Sequence, residues 1–301
     1  MLWSKAIGAG GIGGGGGTLF GPRGVFGGGY TTTSVNIIDY ITIATTGNAV
    51  DFGDLTVGRY GSAATSDGSR GVFGGGYTNG VVNIIDYITI ATLGNAIDFG
   101  DLTVARNSLA ATSDGSRGVF GGGGNSTNII EYITIATLGN AVDFGDLTVG
   151  RAGLAATSDG SRGIFGGGYT NGVVNIIDYI TIATTGNAID FGDLTVGRAG
   201  LAATSDGSRG IFGGGYTTGP FVFRNTIDYI TIATLGNAID FGDLTVSRYG
   251  SAATSDGSRG IFGGGNSTNT IDYITIATTG NAIDFGDLTV SRESSAATSG
   301  G

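Results

Sequence analysis

A unit of about 47 residues repeats six times, a period typical of stacked arrays. Each copy reads as four short strands, and none carries a helical pattern or a helix cap. These observations predict an all-β chain folded as a six-bladed β-propeller of four-stranded antiparallel blades. The tyrosine of the YITIAT segment recurs as Tyr40, Tyr87, Tyr132, Tyr179, Tyr229 and Tyr273, at steps of 47, 45, 47, 50 and 44 residues. A second segment, RGVFGGG or RGIFGG, carries Phe26, Phe73, Phe120, Phe165, Phe212 and Phe262.

The copy over residues 59–105 shows the elements in order. Residues 62–66 are small and β-compatible, as the crowded position next to a propeller axis requires. Asp67-Gly68 follows, a hairpin signal in which both residues are expected at positive φ. Residues 70–75 form the second strand. After a variable loop, residues 83–92 alternate at period two and are rich in Ile, Thr and Tyr, as a third strand apolar on both faces. Leu93-Gly94-Asn95 is a turn, and residues 96–104 are the fourth strand. The large side chains of strands three and four suit the wide space between outer blade edges.

The repeat also accounts for the charge. There are 14 Lys and Arg, 24 Asp and Glu, and a net charge of −10. Lys5 and Arg224 are the basic residues outside the repeat pattern. The negative charge is spread around the ring, which argues against a nucleic-acid partner. The chain has no Cys and no His. Thiolate and imidazole chemistry are therefore excluded, and the redox compartment is not indicated. No apolar run reaches membrane-spanning length, so no membrane insertion is expected. The glycine-rich start is a poor secretory signal.

The pattern running from Arg59 through Asp67-Gly68 and Gly74-Gly75 to Tyr87 and Phe99 resembles the kelch repeat over about residues 20–300. The family's glycine doublet is a triplet here, and Phe99 stands where its fourth-strand Trp would be. The DYITIATxGNAxDFGDLTxxR wording looks like kelch-like proteins of marine tailed phages, particularly cyanophages. That resemblance implies a virion-associated protein made in the host cytoplasm, with other virion proteins or a host-surface glycan or protein as partners.

Residues 1–19 are expected to form a glycine-rich arm, with Leu2, Trp3 and Ile7 as its tether residues, and residues 20–301 the propeller. Residues 295–299 are a lone first strand, expected to pair with the strand containing Val25 and Phe26 and so close the ring. The rival is that residues 18–23, which align with 65–70, supply that strand and leave the last strand free to link molecules.

Three repeated motifs have a functional and a structural reading. The Asp51/Asp54 pair and its equivalents could bind calcium, or could form a turn in which one Asp pairs with Arg59. Arg59, Arg106, Arg151, Arg198, Arg248 and Arg292 could ring the channel mouth and hold an anion, or form six separate Asp–Arg pairs. The GGG segments lack the Lys and helix of a phosphate loop and are read as allowing close backbone approach near the axis. No cofactor, no metal and no catalytic residue is expected.

The copies differ mainly on one face. Strand alternation places the second-to-third loops and the fourth-to-first linkers together, away from the SDGSR hairpins. The linkers carry Tyr60, Asn107, Ala152, Ala199, Tyr249 and Glu293. The longest loop, residues 216–226, adds Phe221, Val222, Phe223 and Arg224. Variable loops on a rigid scaffold are where binding usually resides. Phe221, Val222, Phe223, Arg224, Tyr60 and Tyr249 are therefore the candidate partner-binding residues, although the two phenylalanines could instead fold back over the blade. The expected function is non-enzymatic attachment. A self-assembling lattice protein, and so a homo-oligomer, is the alternative, and a carbohydrate-active enzyme is the third reading.

Overall fold

The computed structural model describes residues 20–301. The arm residues Leu2, Trp3 and Ile7 lie outside the described residues. Among the described residues there are six four-stranded antiparallel sheets, one two-stranded ribbon and no helix. The sheets are the six blades of a β-propeller. The second blade is typical: Ala63–Ser66 innermost, then Arg70–Gly74, Ile84–Thr89 and Ile97–Asp101 outermost. Inner strands of neighbouring blades adjoin around the axis, where only Ala, Thr and Ser fit. The outer strands read VDFGD or IDFGD, exposed or half-buried except at the phenylalanine.

The first blade is built from both ends of the described chain. Ala296–Gly300 pairs with Arg23–Gly27, with Val25 opposite Thr298 and Phe26 opposite Ala297. The last strand, and not the segment of residues 18–23, therefore holds the innermost place of this blade among the described residues. Phe20 lies at the hairpin end of the axial channel, where a Cβ added to Gly257 would stand 3.2 Å from its ring.

The hairpin differs from the sequence expectation. Asp67 and Arg70 close a two-residue loop of Gly68 and Ser69, and of the pair Asp67-Gly68 only Gly68 has positive φ, at 87°. A glycine at the first central position is the type II′ requirement. Asp67 instead stands before the loop, and its carboxylate accepts from the Ser69 and Arg70 amides at 2.8 and 2.7 Å.

The third strand is shorter than the 83–92 expected and is not apolar throughout, because Asp86 lies fully buried in it. A register shift between Ile85 and Asp86 leaves Phe99 as an extra residue on the fourth strand. This bulge buries Phe99 edge-on to Tyr87 at 6.0 Å.

Six apolar clusters, one between each pair of blades, make the core. Val25, Ile38, Phe52 and Leu55 of the first blade, for example, meet Phe73, Ile88, Ile90 and Ala96 of the second. Burying each such large side chain stabilises by about 1.5–3 kcal/mol. The first glycine of each triplet serves this core rather than a backbone approach. A Cβ on Gly27 would lie 2.6 Å from Cε1 of Phe73, so the ring of one blade occupies the side-chain space of the next. The same contact closes the circle at Gly263, against Phe26. The second and third glycines leave the strand with positive φ, and the second meets the expected close backbone approach, since a Cβ on Gly28 would stand 2.5 Å from the Arg59 carbonyl oxygen.

Candidate binding face

The repeated arginines are construction elements. Arg59, Arg106, Arg151, Arg198, Arg248 and Arg292 are fully buried between blades. Each pairs with the acid preceding the third-strand tyrosine of the next blade: Asp86, Glu131, Asp178, Asp228, Asp272 and Asp39 respectively. The expectation of separate ion pairs is met, but with a different partner, since Asp51 and Asp54 take no part in them. The Asp86 carboxylate also accepts from the Thr56 hydroxyl at 2.6 Å and the Thr56 amide at 3.2 Å, so one acid gathers three donors. Burial pulls each guanidinium below its ordinary pKa, and the adjacent carboxylate opposes that shift. Sealed between blades, these groups hold no external anion.

The second arginine of each copy is engaged as well. Arg23 donates to the Ile90 carbonyl of the next blade at 2.9 Å, and Arg259 closes that circle on Ile43 at 3.1 Å. Asp51 is exposed on an outer edge strand, where charge discourages edge-to-edge pairing. Among the described residues no cluster of three or more acids could hold a metal.

The loop face is organised by a ring invisible in the sequence. The Gly61 amide donates to the Ser294 carbonyl, Ser294 to Gly250, Gly250 to Gly200, Gly200 to Gly153, Gly153 to Ser108 and Ser108 to Gly61, all at 2.6–2.8 Å. All six residues lie in the left-handed region, with φ between 54° and 66°. This closed circle fixes the preceding linker residue of every blade: Tyr60, Asn107, Ala152, Ala199, Tyr249 and Glu293.

Those linkers and the neighbouring loops bring aromatics together on one side of the face. Phe221 packs on Tyr216 at 4.9 Å and edge-on to Phe223 at 5.3 Å. Phe223 stacks on Tyr249 at 4.8 Å. The Tyr249 hydroxyl donates to the Glu293 carboxylate at 3.1 Å. Glu293 is joined through backbone hydrogen bonds to Tyr30, whose ring meets Tyr60 at 5.2 Å, and Tyr60 meets Tyr77 at 5.3 Å. A continuous arc thus runs across the fifth, sixth, first and second blades. Burial, followed by the Glu293 charge, pushes the Tyr249 phenol up to about 12, and burial also raises Tyr60 and Tyr216. These three phenols stay protonated at neutral pH.

The candidate residues named from sequence all lie on this face but not in one contact patch. Phe221 is 61% exposed and Val222 38%. Phe223 is half-buried against Tyr249, so one phenylalanine projects while the other folds back. Arg224 is not an exposed charge: it is half-buried and donates to the Thr217 hydroxyl at 3.2 Å. Tyr60 belongs to the Tyr30–Tyr77 group, and Tyr249 to the Tyr216–Phe223 group. Glu293 is the link between them, and the sequence marked it only as variable.

A second asymmetry accompanies the arc. The arc linkers continue into Ser62, Ser251 and Ser295, whereas the other three continue into Leu109, Leu154 and Leu201. The leucines belong to the inter-blade cores. The serines are buried too but belong to none of these apolar clusters. Both sets line a cavity of about 90 Å³ at the loop-face end of the channel.

No protein-family model matches the chain, and no curated protein matches it.

Proposed function

We propose that the chain is a non-enzymatic, kelch-like binding module of a tailed-phage particle. In this reading the N-terminal side tethers the propeller to the particle, and the loop face engages the host surface. The observation that carries it is the polarity of the molecule. Phe20 joins the propeller at the uniform hairpin face, whereas the largest departures from six-fold sameness gather on the opposite face. The phage assignment draws on the kelch-like pattern and the DYITIATxGNAxDFGDLTxxR wording. A binding role fits better than two-carboxylate glycoside chemistry, because Glu293 is the single acid among the side chains of the arc. A lattice built through a free terminal strand is disfavoured, since Ala296–Gly300 already has its partner within the chain.

The test is immunogold labelling of purified phage particles with an antibody raised against the isolated propeller. Gold on the particles is expected. Label absent from intact particles and confined to lysed-cell debris contradicts the reading.

A further inference from the structure

We infer that the aromatic arc is a glycan-binding site, and that its ligand is a neutral oligosaccharide lying along Tyr249, Glu293, Tyr30 and Tyr60. This rests on the loop face being the binding face and names the chemical class it takes.

Three observations converge. The first is the alternation of chemistry along the arc. Tyrosine faces offer flat apolar area, matching the C–H faces of a pyranose, while phenol oxygens and one carboxylate offer partners for its hydroxyls. Glu293 is held by Tyr249, so its remaining lone pairs are positioned to accept sugar O–H donors. Tyr30 is only 37% exposed, and Tyr60, Tyr77 and Tyr249 are half-buried. These are narrow apolar strips edged by hydroxyls rather than the contiguous patch that anchors a protein partner.

The second observation is charge. The net charge is −10, and the twelve arginines of the repeat are committed between blades. Arg224 donates to the Thr217 hydroxyl within the Phe221–Phe223 loop, at one end of the arc. Along Tyr249, Glu293, Tyr30 and Tyr60 the one charged side chain is Glu293, which repels a carboxylate, phosphate or sulfate. A neutral chain fits where an acidic one does not.

The third is the concession in packing beneath the arc. Where the opposite linkers insert Leu109, Leu154 and Leu201 into the core, the arc linkers place the smaller, polar Ser62, Ser251 and Ser295 and forgo that apolar contact. Local departures from good packing are expected where a function is being served.

The experiment is an array of glucose, mannose and galactose oligosaccharides of six units, with polygalacturonate as the acidic comparison, probed with the purified propeller. Retention on at least one neutral series is expected. Tyr60→Ala and Glu293→Gln should each weaken it by about tenfold or more, as loss of an anchoring contact does. Ser116→Lys on the hairpin face should leave it unchanged, and circular dichroism should show all three variants folded. Retention on polygalacturonate alone, or on no sugar, overturns the inference. So does host-cell binding that protease treatment of the cells abolishes and neutral sugars do not compete, which indicates a protein partner. In that case loss of binding in a Phe221→Ser, Phe223→Ser variant would leave the loop-face reading standing. Loss confined to Ser116→Lys would remove both.

Discussion

Asp86 shows how a single side chain ties two blades together. It is fully buried, accepts from Arg59 at 2.7 Å, and is bonded to Thr56 of the preceding blade. Removing one partner of such a pair strands a buried charge. Arg59→Met is therefore expected to cost about 3–5 kcal/mol in urea denaturation, and the double variant Arg59→Met, Asp86→Leu markedly less. A double-variant loss equal to the sum of the Arg59→Met and Asp86→Leu losses would show that the pair is not coupled. The arginine was legible in the sequence as one half of an ion pair, but its partner was not. The acid lies 27 residues further on, in a strand that reads as apolar on both faces. Only the stacking of neighbouring blades brings the two together. Ser108 makes a similar point. It holds φ 55° in the backbone ring, where four of the six copies use glycine. Ser108→Gly should raise stability by about 1 kcal/mol, since a non-glycine residue there is strained. A loss of stability on the same measurement would show that its side chain matters more than its backbone.

At the scale of elements, the strand order and the number of blades follow from the repeat, because composition changes with distance from the axis. Ala and Ser mark the inner strand, and Ile, Tyr and Phe the outer ones. The strand ends were less legible. Ile90 reads as part of the third strand, yet its amide bonds to the Ser69 carbonyl of the hairpin loop. Leu102 likewise turns inward to the Asn83 carbonyl. Both are tertiary choices that local pattern does not encode. Closure is the element with the clearest consequence. Deleting residues 293–301 removes Ala296–Gly300 and leaves the Arg23–Gly27 edge unpaired. Exposed edges template association, so size-exclusion chromatography should show the deletion variant aggregating. A monodisperse variant with an unchanged melting temperature would contradict this role for the last strand.

At the scale of the whole molecule, near-perfect repetition builds the scaffold and its breakdown marks the face proposed to bind. Circles of contacts pass from blade to blade: phenylalanine against glycine, arginine against acid, and amide against carbonyl. They hold the linkers rigidly while leaving side chains such as Tyr60, Tyr249 and Glu293 free to differ. The loop of residues 216–226 was conspicuous in the sequence through its length and its two phenylalanines. The arc was not, because its members come from four separate copies and meet only through blade geometry. The most direct measurement of the account is a cryo-EM map of the intact particle at a resolution that distinguishes the two propeller faces. The expected result is propeller density with the hairpin face and Phe20 toward the particle and the loops bearing Tyr249 and Phe221 outward. A propeller with its loop face packed against the particle and its hairpins outward, or no such density, would contradict it.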